Sequence, residues 1–216
     1  MNRYIVFVNG PISNPVRLKN LVRETDTIIC ADAGAERAIQ LGLTPHVAIG
    51  DFDSITAETF ETLKRLKVPL HQHPAHKDQT DLELALEWVS QKPKGQIVLV
   101  GAFGGRMDQS LGNIFSLLHP RLTGFQLSLY DGETFGHLLQ GKDSKVIETD
   151  LDETVSLIPL SAEVHGVEAT GLVWPLNKVT LERHSSLSIS NRSNSKQVSI
   201  SIDSGVLLLL RIVKDA

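Results

Sequence analysis

The stretch Val47–Ser54, VAIGDFDS, joins a short apolar run directly to two aspartates. The apolar residues predict a buried β-strand, and the glycine that follows them predicts a turn. The same order recurs where Ile28–Ala31 is followed by Asp32, and where Ile97–Gly101 leads through a glycine-rich segment to Asp108. Strands that alternate with helical patterns are typical of β-α units. The sequence therefore predicts a parallel sheet with acidic side chains beyond the carboxyl ends of its strands.

The pattern of apolar and polar residues changes after about residue 140, where helical periodicity stops and short strand patterns follow one another. In Val198–Asp203, for example, apolar and polar residues alternate as they do in a half-buried strand. Leu187–Ser190 is a further predicted strand. The fold is therefore predicted to be α/β, with an N-terminal open parallel-sheet α/β domain over residues 1–140 and a smaller C-terminal all-β sandwich over residues 141–216.

Composition narrows the class of protein. The chain has 216 residues, of which 41% are hydrophobic, and its formal net charge of −4 does not predict binding to nucleic acid or to an anionic membrane. No apolar run approaches the roughly 20 residues of a membrane span, and the N-terminus lacks the pattern of a signal peptide. The single cysteine, Cys30, permits no intramolecular disulfide. These observations predict a cytoplasmic protein with no membrane or nucleic-acid partner.

Asp51 and Asp53 are the strongest candidates for metal ligands. Side chains two residues apart in extended backbone point to the same side, and converging carboxylates repel each other unless a cation joins them. Mg²⁺ prefers oxygen ligands and usually shares them with substrate phosphates. Asp81, at the start of another helix, is the third predicted ligand. The alternative is that the acids only cap the helices that follow them, and Asp32 and Asp78 are closer to that interpretation.

The segment Gly101–Gln109, GAFGGRMDQ, predicts a phosphate-binding turn between a strand and a helix. Glycines let the backbone approach phosphate oxygens, helix N-termini favour anions, and the guanidinium of Arg106 can form two parallel hydrogen bonds to a phosphate. The segment matches neither the P-loop nor the dinucleotide-binding pattern. Lys77 offers a point charge to a phosphate. A second glycine turn around Gly34 suits a nucleotide.

Two other features carry weaker signals. The three histidines within His71–His76 have no cysteine among them and are interrupted by Pro74, so we interpret them as polar loop residues rather than as a zinc site. Trp174 lies in an apolar stretch, and its position there is more typical of a core aromatic than of a ligand platform.

Six segments, in this order, resemble the thiamin pyrophosphokinase family. They are DAGA (32–35), GDFDS (50–54), KDQTD (77–81), GGRMDQ (104–109), GLVW (171–174) and SISN (188–191). The resemblance covers most of the chain from about residue 30, and its acidic motifs are specific in combination. The chain departs from the expected pattern at Ala33, where a glycine is expected.

The resemblance implies a Mg²⁺-dependent enzyme that transfers the pyrophosphoryl group of ATP to the hydroxyl of thiamin and releases AMP. It also implies a homodimer with its active sites at the subunit interface. The implied metal ligands are Asp51, Asp53 and Asp81, and the implied catalytic residues are Asp81, Asp108 and Arg106. The implied nucleotide and phosphate contacts are Asp32, Gly34, Lys77, Thr80, Arg106 and Gln109. The implied thiamin contacts are Trp174, Ser188, Ser190 and Asn191.

Two other functions remain open. One is a metal-dependent pyrophosphokinase of another small alcohol, such as a pterin, and it would not need the Trp174 and Ser188–Asn191 region. The other is a non-catalytic module that binds a nucleotide or thiamin, and the complete set of acids argues against it. As a further hypothesis, either Asp81 or Asp108 accepts or orients the proton of the thiamin hydroxyl.

Overall fold

The structure is a computed structural model that describes residues 1–213. The chain divides into two compact units, the first over Met1–Gly132 and the second from Glu133 onward. The predicted boundary at residue 140 falls inside the second unit, because the strand Thr134–Gln140 pairs with the strand Val206–Ile212. Residues 214–216 of the predicted second domain lie outside the described residues. No described helix has the length and apolar character needed to cross a membrane.

The first unit alternates strands and helices, as predicted. Its strands are β1 (Asn2–Phe7), β2 (Thr27–Ala31), β3 (Val47–Gly50), β4 (Leu70–Gln72), β5 (Gly95–Val100) and β6 (Gln126–Tyr130). Its helices are α1 (Pro15–Leu21), α2 (Gly34–Gln40), α3 (Ala57–Arg65), α4 (Asp81–Ser90) and α5 (Met107–Ser116), and a short 3-10 helix spans Pro120–Leu122. The sheet order is β6-β5-β1-β2-β3-β4, and every pair is parallel.

The topology of this sheet locates a binding edge. The chain builds β1 to β4 in one direction and then returns to place β5 on the other side of β1. The strand order therefore reverses between β1 and β5, and ligands of open α/β sheets bind outside the carboxyl ends of the strands at such a switch point. The strands β1, β2, β3 and β5 are almost continuously buried, as is usual for a parallel sheet.

The helix starts are capped by residues other than the predicted acids. Thr56 caps α3, and Thr80 caps α4 in a complete capping box with Glu83. Ala33 and Arg106 occupy the N-cap positions of α2 and α5 without a side-chain capping bond. The interpretation of the aspartates as N-caps is therefore wrong for all four of these helices.

The second unit is a sandwich of two antiparallel sheets, as predicted. Its strands are β7 (Thr134–Gln140), β8 (Asp143–Glu148), β9 (Thr154–Pro159), β10 (Glu163–Thr170), β11 (Leu176–Glu182), β12 (Asn191–Arg192), β13 (Gln197–Ile202) and β14 (Val206–Ile212). One sheet has the order β12-β9-β14-β7 and the other β11-β10-β13-β8. Both sheets contribute to one apolar core, in which Val155, Val164 and Val198 are fully buried.

The predicted strand Leu187–Ser190 is wrong. This segment forms turns, and the Ser188 hydroxyl donates a hydrogen bond to the Leu157 carbonyl at 2.6 Å. A serine that bonds to a neighbouring strand's backbone favours an irregular loop over a paired strand. The strands β7 and β8 were not predicted, because charged and polar residues weaken their alternation.

Candidate active site

A cleft of about 780 Å³ opens beyond the carboxyl ends of β1, β2 and β5. Val8–Gly10 follows β1 and Gly101–Gly104 follows β5, and both segments contribute to its walls. Asp32, Asp81 and Asp108 also line it. The cleft therefore lies at the switch point of the sheet and is lined by acids from three different strand-to-helix connections.

Glycines allow the two connections at the switch point to touch. A Cβ atom on Gly10 would lie 1.9 Å from the carbonyl oxygen of Gly101, a distance that no side chain permits. Gly101 itself has a φ of 75°, in the left-handed region that favours glycine. In the sequence, the pair Asn9–Gly10 indicates only a turn. Its position directly after a strand, like that of Gly101, is the signal that could have placed it in the site.

Asp32, Asp51 and Asp53 form an acidic trio, with ligand oxygens that lie within 4.8 Å of one another. Asp32 follows β2, and its backbone has a φ of 43°. Its N–H donates to the Ile49 carbonyl at 2.9 Å, which brings the end of β2 beside the start of the next loop. In that loop the Asp53 N–H donates to Asp51 Oδ1 at 3.1 Å. The trio is thus assembled by backbone contacts at two neighbouring strand ends.

The pKa values of Asp32 and Asp51 are shifted in opposite directions. Burial raises the pKa of Asp32, against a hydrogen bond from the Ala33 N–H, and the charge of Asp81 acts in the same direction as burial. The hydrogen bond from the Asp53 N–H is the main cause that lowers the pKa of Asp51. The buried Oδ1 of Asp32 has no hydrogen-bond partner among the described residues. An unpartnered carboxylate oxygen beside two other acids is a position for a cation.

Asp81 lies next to the trio rather than within it. A Cβ atom on Gly50 would lie 3.0 Å from Asp32 Cβ and 3.2 Å from Asp81 Oδ1, so both acids flank the end of β3. Lys77 Nζ lies 2.9 Å from Asp81 Oδ1 and 3.2 Å from Asp51 Oδ2. Burial opposes the charge of Lys77, but these two carboxylates outweigh it and raise the Lys77 pKa. Lys77 therefore joins two predicted metal ligands through ion pairs. The contact between Lys77 and Asp81 Oδ1 is an ion pair without a well-formed hydrogen bond.

The remaining predicted phosphate contacts fall around the same cleft. Arg106 forms a two-pronged pair with Asp108, with contacts of 3.1 and 2.5 Å, and both side chains are mostly exposed. Gln109 and Thr80 line the cleft. Gly34 has a packing role, because a Cβ atom there would lie 2.1 Å from the Phe7 carbonyl oxygen. Its absence of a side chain lets α2 pack closely against the end of β1.

The residues present fit a divalent cation of the oxygen-preferring kind. The trio offers carboxylates from two loops, and the buried Oδ1 of Asp32 lacks a hydrogen bond among the described residues. Such ligands suit Mg²⁺, which keeps part of its coordination for water and substrate phosphate. Within residues 1–213, the histidines of His71–His76 do not converge with other ligands on one position.

The predicted thiamin contacts lie in the second unit, on two segments tied together by Asn191. The buried Asn191 side chain accepts from the Trp174 N–H at 3.2 Å and donates to the Trp174 carbonyl at 2.7 Å. Trp174 is 56% exposed, so the alternative interpretation of it as a core aromatic is wrong. Ser188 is buried and its hydroxyl is bonded to the backbone, while Ser190 has a φ of 61°.

Exposed apolar side chains lie on both of the segments that Asn191 ties together. Val173, Leu187 and Ile189 are 45%, 71% and 48% exposed, respectively. Together with Trp174 they form what we call the Trp174 patch. Large apolar groups exposed together are typical of ligand or protein contacts.

Comparisons with known proteins agree with this architecture. A family model described as thiamin pyrophosphokinase, catalytic domain, matches residues 18–129, and one described as thiamin pyrophosphokinase, vitamin B1 binding domain, matches residues 144–207. The thiamine pyrophosphokinase of Bacillus subtilis (strain 168) is 31% identical over 206 residues, which cover 95% of this chain and 96% of the relative.

Solved structures extend the same comparison. A crystal structure of the Bacillus subtilis thiamine pyrophosphokinase has a TM-score of 0.86 at 30% identity and covers 100% of both chains. The thiamin pyrophosphokinase from Candida albicans has a TM-score of 0.82 at 16% identity, and it covers 97% of this chain and 90% of its own. At that identity the second structure supports the fold alone.

Proposed function

We propose, since this chain belongs to the thiamin pyrophosphokinase family, that the acidic edge of its parallel sheet binds ATP with Mg²⁺ and that its antiparallel unit binds thiamin. The family is one of enzymes, which transfer a pyrophosphoryl group to thiamin in an ATP-dependent reaction. The observation that carries the proposal is the acidic trio, which lies beside a glycine-walled cleft at the switch point of the sheet.

The first unit performs the phosphate chemistry in this proposal. Asp51 and Asp53, with Asp81 beside them, hold the cation, and Asp32 joins them through its unpartnered oxygen. When bound, Mg²⁺ neutralises phosphate charge and helps to orient the triphosphate for attack on its β-phosphorus. Lys77 is already placed between two acids and contributes positive charge at the same edge.

The other residues orient the reacting groups. Arg106, whose Nε and Nη2 already pair with Asp108, offers its remaining guanidinium N–H groups to phosphate oxygens. Gln109, Thr80 and the backbone of Gly34 complete the nucleotide contacts. Asp81 or Asp108 accepts or orients the proton of the thiamin hydroxyl, because both carboxylates line the cleft.

The second unit supplies the thiamin contacts in this proposal. The exposed face of Trp174 suits the cationic thiazolium or the aminopyrimidine ring. Asn191 holds the backbone of Trp174, and the bonds of Ser188 and Ser190 to β9 hold the segment that leads to Asn191. We include in the proposal a cytoplasmic homodimer whose active sites lie at the subunit interface, since the Trp174 patch offers apolar surface for such a contact.

The test is incubation with ATP, Mg²⁺ and thiamin, followed by phosphorus NMR. The expected products are AMP and thiamin diphosphate. Formation of ADP, or the absence of any thiamin-dependent reaction, would contradict the proposal. Replacing thiamin by a hydroxymethyl pterin tests the alternative pyrophosphokinase, which the comparisons do not favour. Sedimentation of the pure protein at micromolar concentration tests the dimer.

A further inference from the structure

We propose that Glu36 is a positioning residue that holds the acidic trio together from outside the cleft. The inference rests on the proposed function, because it concerns the cation that the trio is proposed to bind. Glu36 lies in the first turn of α2, and Oε1 of its side chain accepts a hydrogen bond from the Thr56 N–H at 2.6 Å. This bond ties the helix that follows Asp32 to the far end of the loop that carries Asp51 and Asp53.

The trio needs such a tie because its members come from two separate connections. Asp32 belongs to the connection between β2 and α2, and Asp51 and Asp53 belong to the connection between β3 and α3. The near ends of these connections are joined by the bond from the Asp32 N–H to the Ile49 carbonyl. Glu36 joins the far ends. The distance between the two groups of carboxylates is therefore fixed at both ends of the loop.

The loop that carries Asp51 and Asp53 also has a strained backbone, which needs contacts that hold it in place. Phe52, between the two acids, has a φ of 62°, in a region that costs a non-glycine residue on the order of 1 kcal/mol or more. Such a conformation persists only where the surroundings fix it. The Phe52 ring lies 5.9 Å from the Phe60 ring, and Thr56 also caps α3 through its hydroxyl. Glu36 thus holds a rigid point, the N-cap of α3, and through it the strained loop.

The proposal is tested by Mn²⁺ binding, measured by electron paramagnetic resonance without substrates. Glu36→Ala and Glu36→Asp remove the bond or shorten its reach, and each is expected to weaken Mn²⁺ binding at least about tenfold, as losses of outer contacts to metal sites typically do. Glu36→Gln retains an acceptor oxygen in the same place, so its affinity should stay within about threefold of the wild type. Half-maximal turnover should need correspondingly more Mg²⁺ in the first two variants, with kcat restored at saturation.

Glu58→Ala is the matched control. Glu58 is an exposed carboxylate in the first turn of α3, and it makes no hydrogen bond within residues 1–213. Its removal changes the charge equally, and Mn²⁺ binding should remain at the wild-type value. Thermal unfolding of all four variants separates loss of stability from loss of affinity.

The outcomes distinguish this inference from the proposed function. If Glu36→Ala binds Mn²⁺ as tightly as Glu58→Ala does, or if Glu36→Gln is as weak as Glu36→Ala, the positioning role is wrong. If the wild type binds no Mn²⁺, or if Asp51→Asn binds it normally, the proposed metal site fails first and the inference fails with it. Weakened binding in Glu36→Ala and Glu36→Asp alone, with Glu36→Gln near normal, supports it.

Discussion

The two units both have apolar cores, but their surfaces differ in chemical character. In the parallel unit, acids gather at the edge of the sheet, and a lysine and backbone N–H groups hold them. In the antiparallel unit, the buried polar groups Ser188 and Asn191 bond to backbone carbonyls of other segments, those of Leu157 and Trp174, and apolar side chains are left exposed. Under the proposed function, polar residues therefore form the reacting surface in the first unit, whereas in the second they hold loops in place. Changes to polar side chains should therefore affect chemistry in the first unit and ligand-binding shape in the second.

The largest expected effect is that of Asp51→Asn in the parallel unit. The amide removes a negative charge from the trio while it keeps the size of the side chain, so kcat/KM should fall about 10²- to 10³-fold. Steady-state kinetics at several Mg²⁺ concentrations measure the loss. Circular dichroism should remain as in the wild type, since Asp51 is not an N-cap. Full activity at saturating Mg²⁺ would remove Asp51 from the metal site.

Substitutions in two buried ion pairs, one in each unit, test whether such pairs contribute equally to the free energy of unfolding. Asp26 is 2% exposed and contacts Arg3 at 2.8 Å in the first unit, and Glu153 is 2% exposed and forms a two-pronged pair with Arg211 in the second. Asp26→Asn and Glu153→Gln should each lower the free energy of unfolding by about 3 kcal/mol, because each leaves a cation with a neutral partner. Urea denaturation measures both.

The control for these variants is the exposed pair of Lys64 with Glu61. Lys64→Gln should change the free energy of unfolding by less than about 0.5 kcal/mol, since solvent screens the pair. A similar loss in all three variants would show that burial does not set the strength of these interactions.

Trp174→Ala tests the proposed thiamin contacts of the antiparallel unit. Loss of the exposed ring should raise KM for thiamin about tenfold and leave KM for ATP unchanged. Asn191→Ala frees the Trp174 backbone and should have a similar effect, but the double variant should be no worse than either single one. Thermal unfolding of Trp174→Phe checks stability, and the retained ring should preserve most of the affinity. Additive losses would mean that Asn191 acts independently of Trp174.

The smallest effect concerns pH. Burial, together with the charge of Lys145, lowers the pKa of His137 from 6.5 to about 4. Between these values the unfolded chain binds a proton that the folded chain does not, so the free energy of unfolding falls as the pH drops below 6.5. The loss should reach about 1 kcal/mol at pH 5.5. Urea midpoints at pH 7 and 5.5 should differ less in His137→Gln, and an unchanged difference would contradict the assignment.

Local signals predicted much of the first unit. The capping box at Thr80 and the cap at Thr56 depend on residues three apart, so the sequence alone locates both helix starts. The apolar runs of β2 and β6 likewise mark their strands, because both faces are buried. The apolar spacing of Leu111 and Phe115 is typical of a helix with one apolar face, yet α5 buries no residue, since periodicity reveals a face but not what covers it.

The arrangement of the site depended on contacts that a sequence does not display. Asp32 joined the trio because its N–H bonds to Ile49 across two strands, and its φ of 43° turns the chain at that point. Neither feature leaves a local pattern, so the sequence placed Asp32 nearer to a capping role. Lys77 was predicted to meet a phosphate, and its ion pairs with Asp51 and Asp81 likewise depend on tertiary proximity.

The helix caps of the first unit have a practical consequence for crystallography. Because Thr56 and Thr80 stabilise their own helices, the acids beside them can be neutralised without unravelling either helix. Asp51→Asn and Asp81→Asn should therefore be folded proteins that bind both substrates but turn them over slowly or not at all. Co-crystals of these variants with unmodified ATP and thiamin would capture the state before transfer, with no need for a non-hydrolysable nucleotide analogue.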